Sequence, residues 1–305
     1  MGMNALTVQH PSGGRVANPR RRTVAGTLLP VPALLIVAGA IGYPLALALW
    51  FSLSNAQVGE LGKFVGLANY AYLLRQPTYF DAVRNTLVYM VASIVIKAIL
   101  GMAVALAIAR HFPGRRLVYA LLFLPFVFPL TMGTMAWYYL FSNVHGAINY
   151  ILMQSGLVPN GVDWLGSFGP LPMASLITVN VWHETSLFAV LLLAGLRSIG
   201  ADIIEAARVE GATGGQRFLH IVLPLLRPAL VLGAALSVMG SFGDFAIVHV
   251  LTNGGPANHT QTIPHMAFMV ALRDGDVGVG GAVAFTVLPA YFLMLAYLLR
   301  EVVRR

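Results

Sequence analysis

Five ionisable side chains lie inside or close to long apolar runs of this sequence. They are Lys97, His183, Glu184, Asp244 and His249. An ionisable group at membrane depth is costly, so it usually faces the interior of a helix bundle or a water-filled cavity. Asp244 is the strongest candidate, because a lone buried carboxylate needs partners. His249 is predicted near the outer interface, and the sequence assigns no role to Lys97.

Hydrogen-bonding residues cluster around two of these groups, in the stretches 180–186 and 237–245. Trp182 and Phe245 lie within them and are predicted to stack on a sugar ring. Small and hydroxyl residues in membrane helices also serve helix packing, so that interpretation stays open. A recurrence every three or four residues predicts one shared helix face for Ser237, Ser241, Asp244 and Val248.

Other kinds of chemistry find no support in the sequence. There is no cysteine, and no His, Asp or Glu cluster has ligand spacing such as H-E-x-x-H, so we expect no metal site. The two lysines, Lys63 and Lys97, lie outside any G-x-x-x-x-G-K-[ST] pattern. The chain is therefore predicted not to hydrolyse ATP by itself and to be no enzyme.

The composition indicates what surrounds these residues. Of 305 residues, 58% are apolar and 10% charged, and the mean hydropathy is +0.77. Soluble domains are about 45–50% apolar and about 25% charged. The chain is therefore predicted to be an all-α, polytopic membrane protein, which argues against a soluble enzyme, a disordered protein and a nucleic-acid binder.

Six segments can each supply the roughly 20 apolar residues that a transmembrane helix needs. The first follows three arginines, as a signal peptide does, but its run of about 30 residues exceeds the 7–15 of a signal peptide. The predicted spans are Val24–Leu53, Ala82–Ala109, Leu117–Phe141, Leu171–Leu196, Ala229–Leu251 and Gly281–Leu299.

The basic residues outside these spans are distributed unevenly. One side would carry fourteen arginines and the other only Lys63, Arg75, Arg84 and Arg273. By the positive-inside rule, both termini are predicted to be cytoplasmic. The net charge of +8 therefore reflects orientation and says nothing about the charge of a substrate.

The long cytoplasmic loop, about residues 201–224, is predicted to form two short helices. Asp202 can cap the first, and Gly211 lies where a left-handed residue ends it. A second helix is predicted over Gly215–Leu223. Such a protruding knob is either a connector on the membrane surface or a docking element for a cytoplasmic partner.

The residues of this loop resemble a known pattern. Glu205-Ala206-Ala207, Gly211-Ala212, Phe218 and Leu223-Pro224 have the spacing of the EAA loop of binding-protein-dependent ABC importer permeases. At position 210 this chain has Glu where that family usually has Asp, so the negative charge at this position is the same. The resemblance implies that the ATPase-coupling residues are Glu205, Ala206, Ala207, Glu210, Gly211 and Ala212.

Further stretches resemble the sugar branch of that family, and in particular its maltose-type first permease subunit in a compact six-span form. They are Phe64–Tyr70, Asn85-Thr86-Leu87 and Leu251–Pro256. The resemblance implies a substrate cavity formed by Glu184 and Leu187 of the fourth span with Ser237, Gly240, Ser241, Asp244 and Ala246 of the fifth.

The resemblance also implies an assembly. The expected type I permease fold has a cytoplasmic tail at 1–23 and a transmembrane domain at 24–305, in a bacterial-type inner membrane. The implied partners are membrane lipid, a second permease subunit, two ATPase subunits that bind ATP and Mg, and an external solute-binding protein that delivers a sugar. Two alternatives stay open: the same machine with a polyol or glycerol phosphate as cargo, or a stand-alone ion-driven transporter or channel.

Overall fold

The computed structural model describes residues 30–110 and 112–303, and within them the extended elements are helices. The predicted tail, 1–23, and the start of the first predicted span, 24–29, lie outside the described residues. The fold divides after Ala48 into two compact units, and the residues of the candidate site all belong to the second.

The helices follow one another in simple chain order. In the first half they are α1 (Val31–Ser52), α2 (Ala68–Leu73), α3 (Pro77–Ala109), α4 (Arg115–Val127), α5 (Leu130–Leu140), α6 (Ala147–Gln154) and α7 (Leu171–Ser198). In the second half they are α8 (Ala201–Val209), α9 (Gly214–Arg217), α10 (Arg227–Gly243), α11 (Phe245–Leu251), α12 (Ile263–Phe268) and α13 (Val277–Val303). Two π-helical turns follow α9 and α12, at Phe218–Val222 and Met269–Arg273, and a further helical turn, Leu223–Leu225, follows the first of them.

Four described helices are long and apolar enough to cross a bilayer: α1, α3, α7 and α13. Two bent pairs meet the same criterion, α4 with α5, and residues 214–225 with α10. If each bent pair is one crossing, the described residues contain six, which agrees with the number predicted.

The third predicted span, Leu117–Phe141, is not one straight helix. It bends by 96° between α4 and α5. Phe128 is extended, with ψ 136°, directly before Pro129. The proline ring disfavours helical geometry in the residue that precedes it, which explains a break at this place.

The fifth predicted span, Ala229–Leu251, is also broken. Helix α10 ends at Gly243 and α11 begins at Phe245, with Asp244 between them at ψ 44°. Gly240 and Gly243, both poor helix formers, precede the break. The prediction that Ser237 and Asp244 share one continuous helix face is therefore wrong.

The core forms where α3, α7 and α10 pack together. Gly101 of α3 lies so close to α7 that a Cβ there would be 3.2 Å from the backbone nitrogen of Ala189 and from the Cβ of Phe188. A Cβ on Gly233 of α10 would be 2.9 Å from the ring of the same Phe188. Glycine thus permits both close approaches, and these three helices position the polar groups described below.

Replacing Gly101 with leucine should force α3 and α7 apart. Overpacking a filled core costs about 1–3 kcal/mol, occasionally more. We expect Gly101→Leu to lower the melting temperature of the detergent-purified protein clearly. Gly243→Leu is the control, because a Cβ there meets nothing within 4 Å. Equal destabilisation by the two variants would contradict this account of the packing.

Candidate functional site

An ion pair between a buried lysine and a partly buried glutamate joins the middle of α3 to the middle of α7. The Lys97 Nζ lies 2.5 Å from the Glu184 Oε2, and the Lys97 side chain is 0% exposed. Ser237 of α10 donates a weaker hydrogen bond to the same oxygen, at 3.4 Å. A charge removed from water is costly unless it is paired, so neither Lys97 nor Glu184 is stable here without the other.

Beside this pair lies a cavity of about 180 Å³ between α4, α7 and α10. Four of the residues predicted for a substrate cavity line it, namely Glu184, Leu187, Ser237 and Gly240, together with others such as Phe126 and Leu236. The structure therefore brings together residues of two predicted spans that are about 50 positions apart in the chain.

Gly240 leaves room for the carboxylate end of the Glu184 side chain. A Cβ on Gly240 would collide with the Glu184 Oε1. Oε1 therefore lies close to the α-carbon of Gly240. The other oxygen of the same carboxylate, Oε2, is the one that contacts Lys97. A residue other than glycine would displace it.

Ser241, Asp244 and Ala246 do not line this cavity, and their role as cargo contacts stays a prediction. Asp244 is buried, and its Oδ2 accepts hydrogen bonds from Tyr89 of α3, at 2.9 Å, and from the amide of Asn180 of α7. The carboxylate therefore ties the break between α10 and α11 to two neighbouring helices.

The aromatic residues predicted to stack on a sugar are engaged with the protein. Phe245 stacks on His249, with ring centroids 4.8 Å apart, and lies 5.8 Å from His265. Trp182 packs edge-on against Trp137, at 5.7 Å. The stacking prediction for these two rings therefore finds no support in their positions.

His249 and His265 form a close pair, with 3.5 Å between Nδ1 and Nε2. His265 lies on α12, between the fifth and sixth spans. Burial, and to a smaller extent His249, lowers the pKa of His265 to about 4, so its imidazole is neutral at pH 7. Among the described residues no group of three or more His, Asp or Glu could hold a metal ion.

Two motif residues at the start of the second predicted span hold the loop that precedes α12. The Asn85 amide donates to the carbonyls of Asn258 and Gln261, at 3.1 Å each. The Thr86 hydroxyl accepts from the backbone N–H of Ile263 at 2.9 Å. These side chains therefore fix the shape of the loop between α11 and α12.

The cytoplasmic loop contains the two predicted helices with small changes. Helix α8 is capped by Gly200, without a side-chain hydrogen bond, and Asp202 lies in its first turn, so the predicted Asp202 cap is wrong. The second helix covers residues 214–225 rather than Gly215–Leu223. It opens with a capping box between Thr213 and Gln216.

The predicted left-handed residue is present, since Gly211 has φ +83°. Next to it, the backbone N–H of Ala212 donates to the carbonyl of Ala207 at 3.0 Å. A Cβ on Gly211 would meet nothing within 4 Å, so the reason for glycine here is the backbone angle alone.

The surface of this loop is partly apolar. Val209 is 88% exposed and Leu219 is 57% exposed, and Glu205, Ala206 and Glu210 are exposed beside them. Ala207 is buried, facing its own subunit. Exposed apolar side chains grouped with charges are typical of a surface that a partner protein covers.

Comparison with known proteins gives concordant results. Residues 97–305 match the family described as binding-protein-dependent transport system inner membrane component. The chain is 33% identical over 273 residues to a probable ABC transporter permease protein, y4oQ, of Sinorhizobium fredii, covering 88% of this chain and 87% of the relative. It is 32% identical over 266 residues to the trehalose/maltose transport system permease protein MalF of Thermococcus litoralis, covering 87% and 88%.

The fold is similar to that of a solved bacterial alginate ABC transporter, in complex with an alginate pentasaccharide-bound periplasmic protein. The TM-score is 0.77 at 18% identity, over 93% of this chain and 96% of that chain. At this identity the likeness supports the fold.

Removing the Asp244 carboxylate should destabilise the protein. Asp244→Ala leaves the Tyr89 hydroxyl and the Asn180 amide without their acceptor, at about 1–3 kcal/mol for each buried group. We expect less assembled protein in the membrane and a lower melting temperature. Ser241→Ala is the control, because the buried Ser241 hydroxyl has no hydrogen-bond partner among the described residues. If Asp244 were a cargo contact instead, the variant would assemble normally and lose only uptake.

Proposed function

The chain belongs to the family of binding-protein-dependent transport system inner membrane components, and we propose on that premise that it forms half of the path by which an ABC importer carries a sugar. It is a multi-pass membrane protein and a transport permease subunit. The observation that carries the proposal is the exposed knob at residues 201–224, because a stand-alone transporter or channel has no use for a docking element.

The proposed ATPase-coupling residues are Glu205, Ala206, Ala207, Glu210, Gly211 and Ala212, of which Ala207 is buried and supports the others from below the surface. The exposed charges of Glu205 and Glu210 and the exposed side chain of Val209 support docking to a cytoplasmic protein. That partner is proposed to be a pair of ATPase subunits, which bind ATP and Mg. A second permease subunit completes the path, and an external solute-binding protein delivers the cargo.

The proposed orientation has both termini in the cytoplasm. Fourteen arginines lie on the predicted inner side, against four basic residues on the other. With six crossings, the knob at residues 201–224 falls on the same side as the termini, where an ATPase can reach it.

The charges of the cavity favour a neutral cargo. Glycerol phosphate would require an unpaired cation near the cavity, but the Lys97 ammonium is 0% exposed and bound to Glu184. The Glu184 carboxylate and the Ser237 hydroxyl suit the hydroxyl groups of a sugar or a polyol. A sugar is the proposed cargo, because the relative from Thermococcus litoralis is named for trehalose and maltose transport.

Purification and reconstitution test this function directly. The tagged chain, extracted in mild detergent, should bring an ATPase subunit and a second permease subunit with it. In vesicles, the complex should import labelled trehalose or maltose only with ATP and the solute-binding protein. Import driven by an ion gradient without ATP would contradict the proposal.

Gly211 should be essential for coupling because of its backbone angle. Valine strains a backbone at φ +83°, at a cost on the order of 1–3 kcal/mol, whereas asparagine tolerates the left-handed region. We expect Gly211→Val to lower transport-linked ATPase activity at least about tenfold, with normal insertion and pairing, and Gly211→Asn to stay within about twofold of wild type. Normal activity of the valine variant would overturn the assignment.

A further inference from the structure

The two oxygens of the Glu184 carboxylate have different surroundings. Oε2 contacts the Lys97 ammonium at 2.5 Å and accepts from Ser237 at 3.4 Å. Oε1 lies against the α-carbon of Gly240, which also lines the cavity. Oε2 is therefore occupied by protein donors, whereas Oε1 accepts no hydrogen bond from the described residues, and Glu184 lines the cavity.

Lys97 cannot contact a cargo in this arrangement, because its side chain is 0% exposed, whereas the Glu184 side chain is 17% exposed. A charged carboxylate in an apolar bundle is costly unless an opposite charge pairs with it. Its charge also makes it a stronger hydrogen-bond acceptor than a neutral group.

We infer that Lys97 is a positioning residue for transport: it holds Glu184 so that Oε1 accepts a hydrogen bond from a hydroxyl group of a neutral, polyhydroxylated cargo. This inference rests on the proposed function and specifies how the cavity recognises its cargo. Lys97 acts through Glu184. The cavity therefore presents a carboxylate oxygen to the cargo, while the neighbouring lysine stays buried.

Two double variants separate this role from a purely structural one. Lys97→Glu/Glu184→Lys keeps an ion pair but places a group with only donors at the cavity. Lys97→Met/Glu184→Met removes both charges with apolar side chains of similar length, an exchange that buried ion pairs often tolerate. Each is assayed as the full complex in vesicles, with its ATPase, partner permease and solute-binding protein, and with trehalose and maltose as probes.

We expect both double variants to assemble to within about twofold of wild type and to lose at least about tenfold in maximal uptake rate, a change of about 1.4 kcal/mol. The concentration of loaded binding protein that gives half-maximal uptake should stay unchanged, since the docking surface is intact. A structural role predicts instead that assembly and uptake recover together. Uptake at the wild-type rate by either double variant would overturn the inference.

Gly240→Ala tests the same oxygen without changing either charge. The added Cβ displaces or covers Oε1, and the matched control is Gly243→Ala, whose Cβ meets nothing within 4 Å. We expect normal assembly of both and at least about tenfold slower uptake by Gly240→Ala alone. Equal uptake by the two variants would overturn the inference, even if the double variants fail to assemble.

The wild-type complex distinguishes failure of this inference from failure of the proposed function. A wild-type complex that imports neither sugar with ATP counts against the proposed cargo. A wild-type complex that imports a sugar while Gly240→Ala does so equally well leaves the function intact and removes only the role of Lys97 and the Glu184 Oε1.

Discussion

An isolated charge is unstable inside an apolar helix bundle, and this constraint organises the centre of the protein. Lys97 satisfies it through Glu184, so α3 and α7 have to meet at their midpoints. Ser237 joins the pair from α10. A related rule, that buried polar groups are hydrogen-bonded, holds at Asp244, whose carboxyl group accepts from the neutral side chains of Tyr89 and Asn180 on the same two helices.

These polar contacts need close helix packing to exist. Gly101 lets α3 approach α7, and Gly233 lets α10 receive the ring of Phe188. Since membrane helices gain little from burying apolar surface against one another, small residues and polar links contribute a larger share of their association. The cavity lies where this packing is incomplete, between α4, α7 and α10.

Features that depend on residues close together in the chain, such as helices and their ends, can be predicted from the sequence. The long apolar runs predict the crossings, and the position of Gly211 after a helical stretch correctly predicts a left-handed residue. The sequence also contains the signal for the bend at Phe128, because Pro129 follows that residue directly. The predicted cap of α8 is wrong because the cap residue is Gly200, two residues before Asp202, and it makes no side-chain hydrogen bond to the helix.

Contacts between distant segments could not be predicted in the same way. Lys97 and Glu184 are 87 positions apart, and Tyr89 and Asp244 are 155 apart. No periodicity within one helix indicates which face of another helix it will meet. The assignment of Asp244 to a continuous helix face failed for a related reason, since the bonds that hold the break at Asp244 come from other helices.

The contact between Gly240 and the Glu184 carboxylate also limits how the cavity can evolve. Every substitution of a glycine adds a Cβ, and here the first atom added meets Oε1. Leu187 and Leu236 line the same cavity, and neither takes part in the hydrogen bonds of the ion pair. In a lineage that keeps the Lys97–Glu184 pair, we therefore expect new cargo preferences to arise through these leucines more readily than through position 240, where any added side chain has to move the carboxylate.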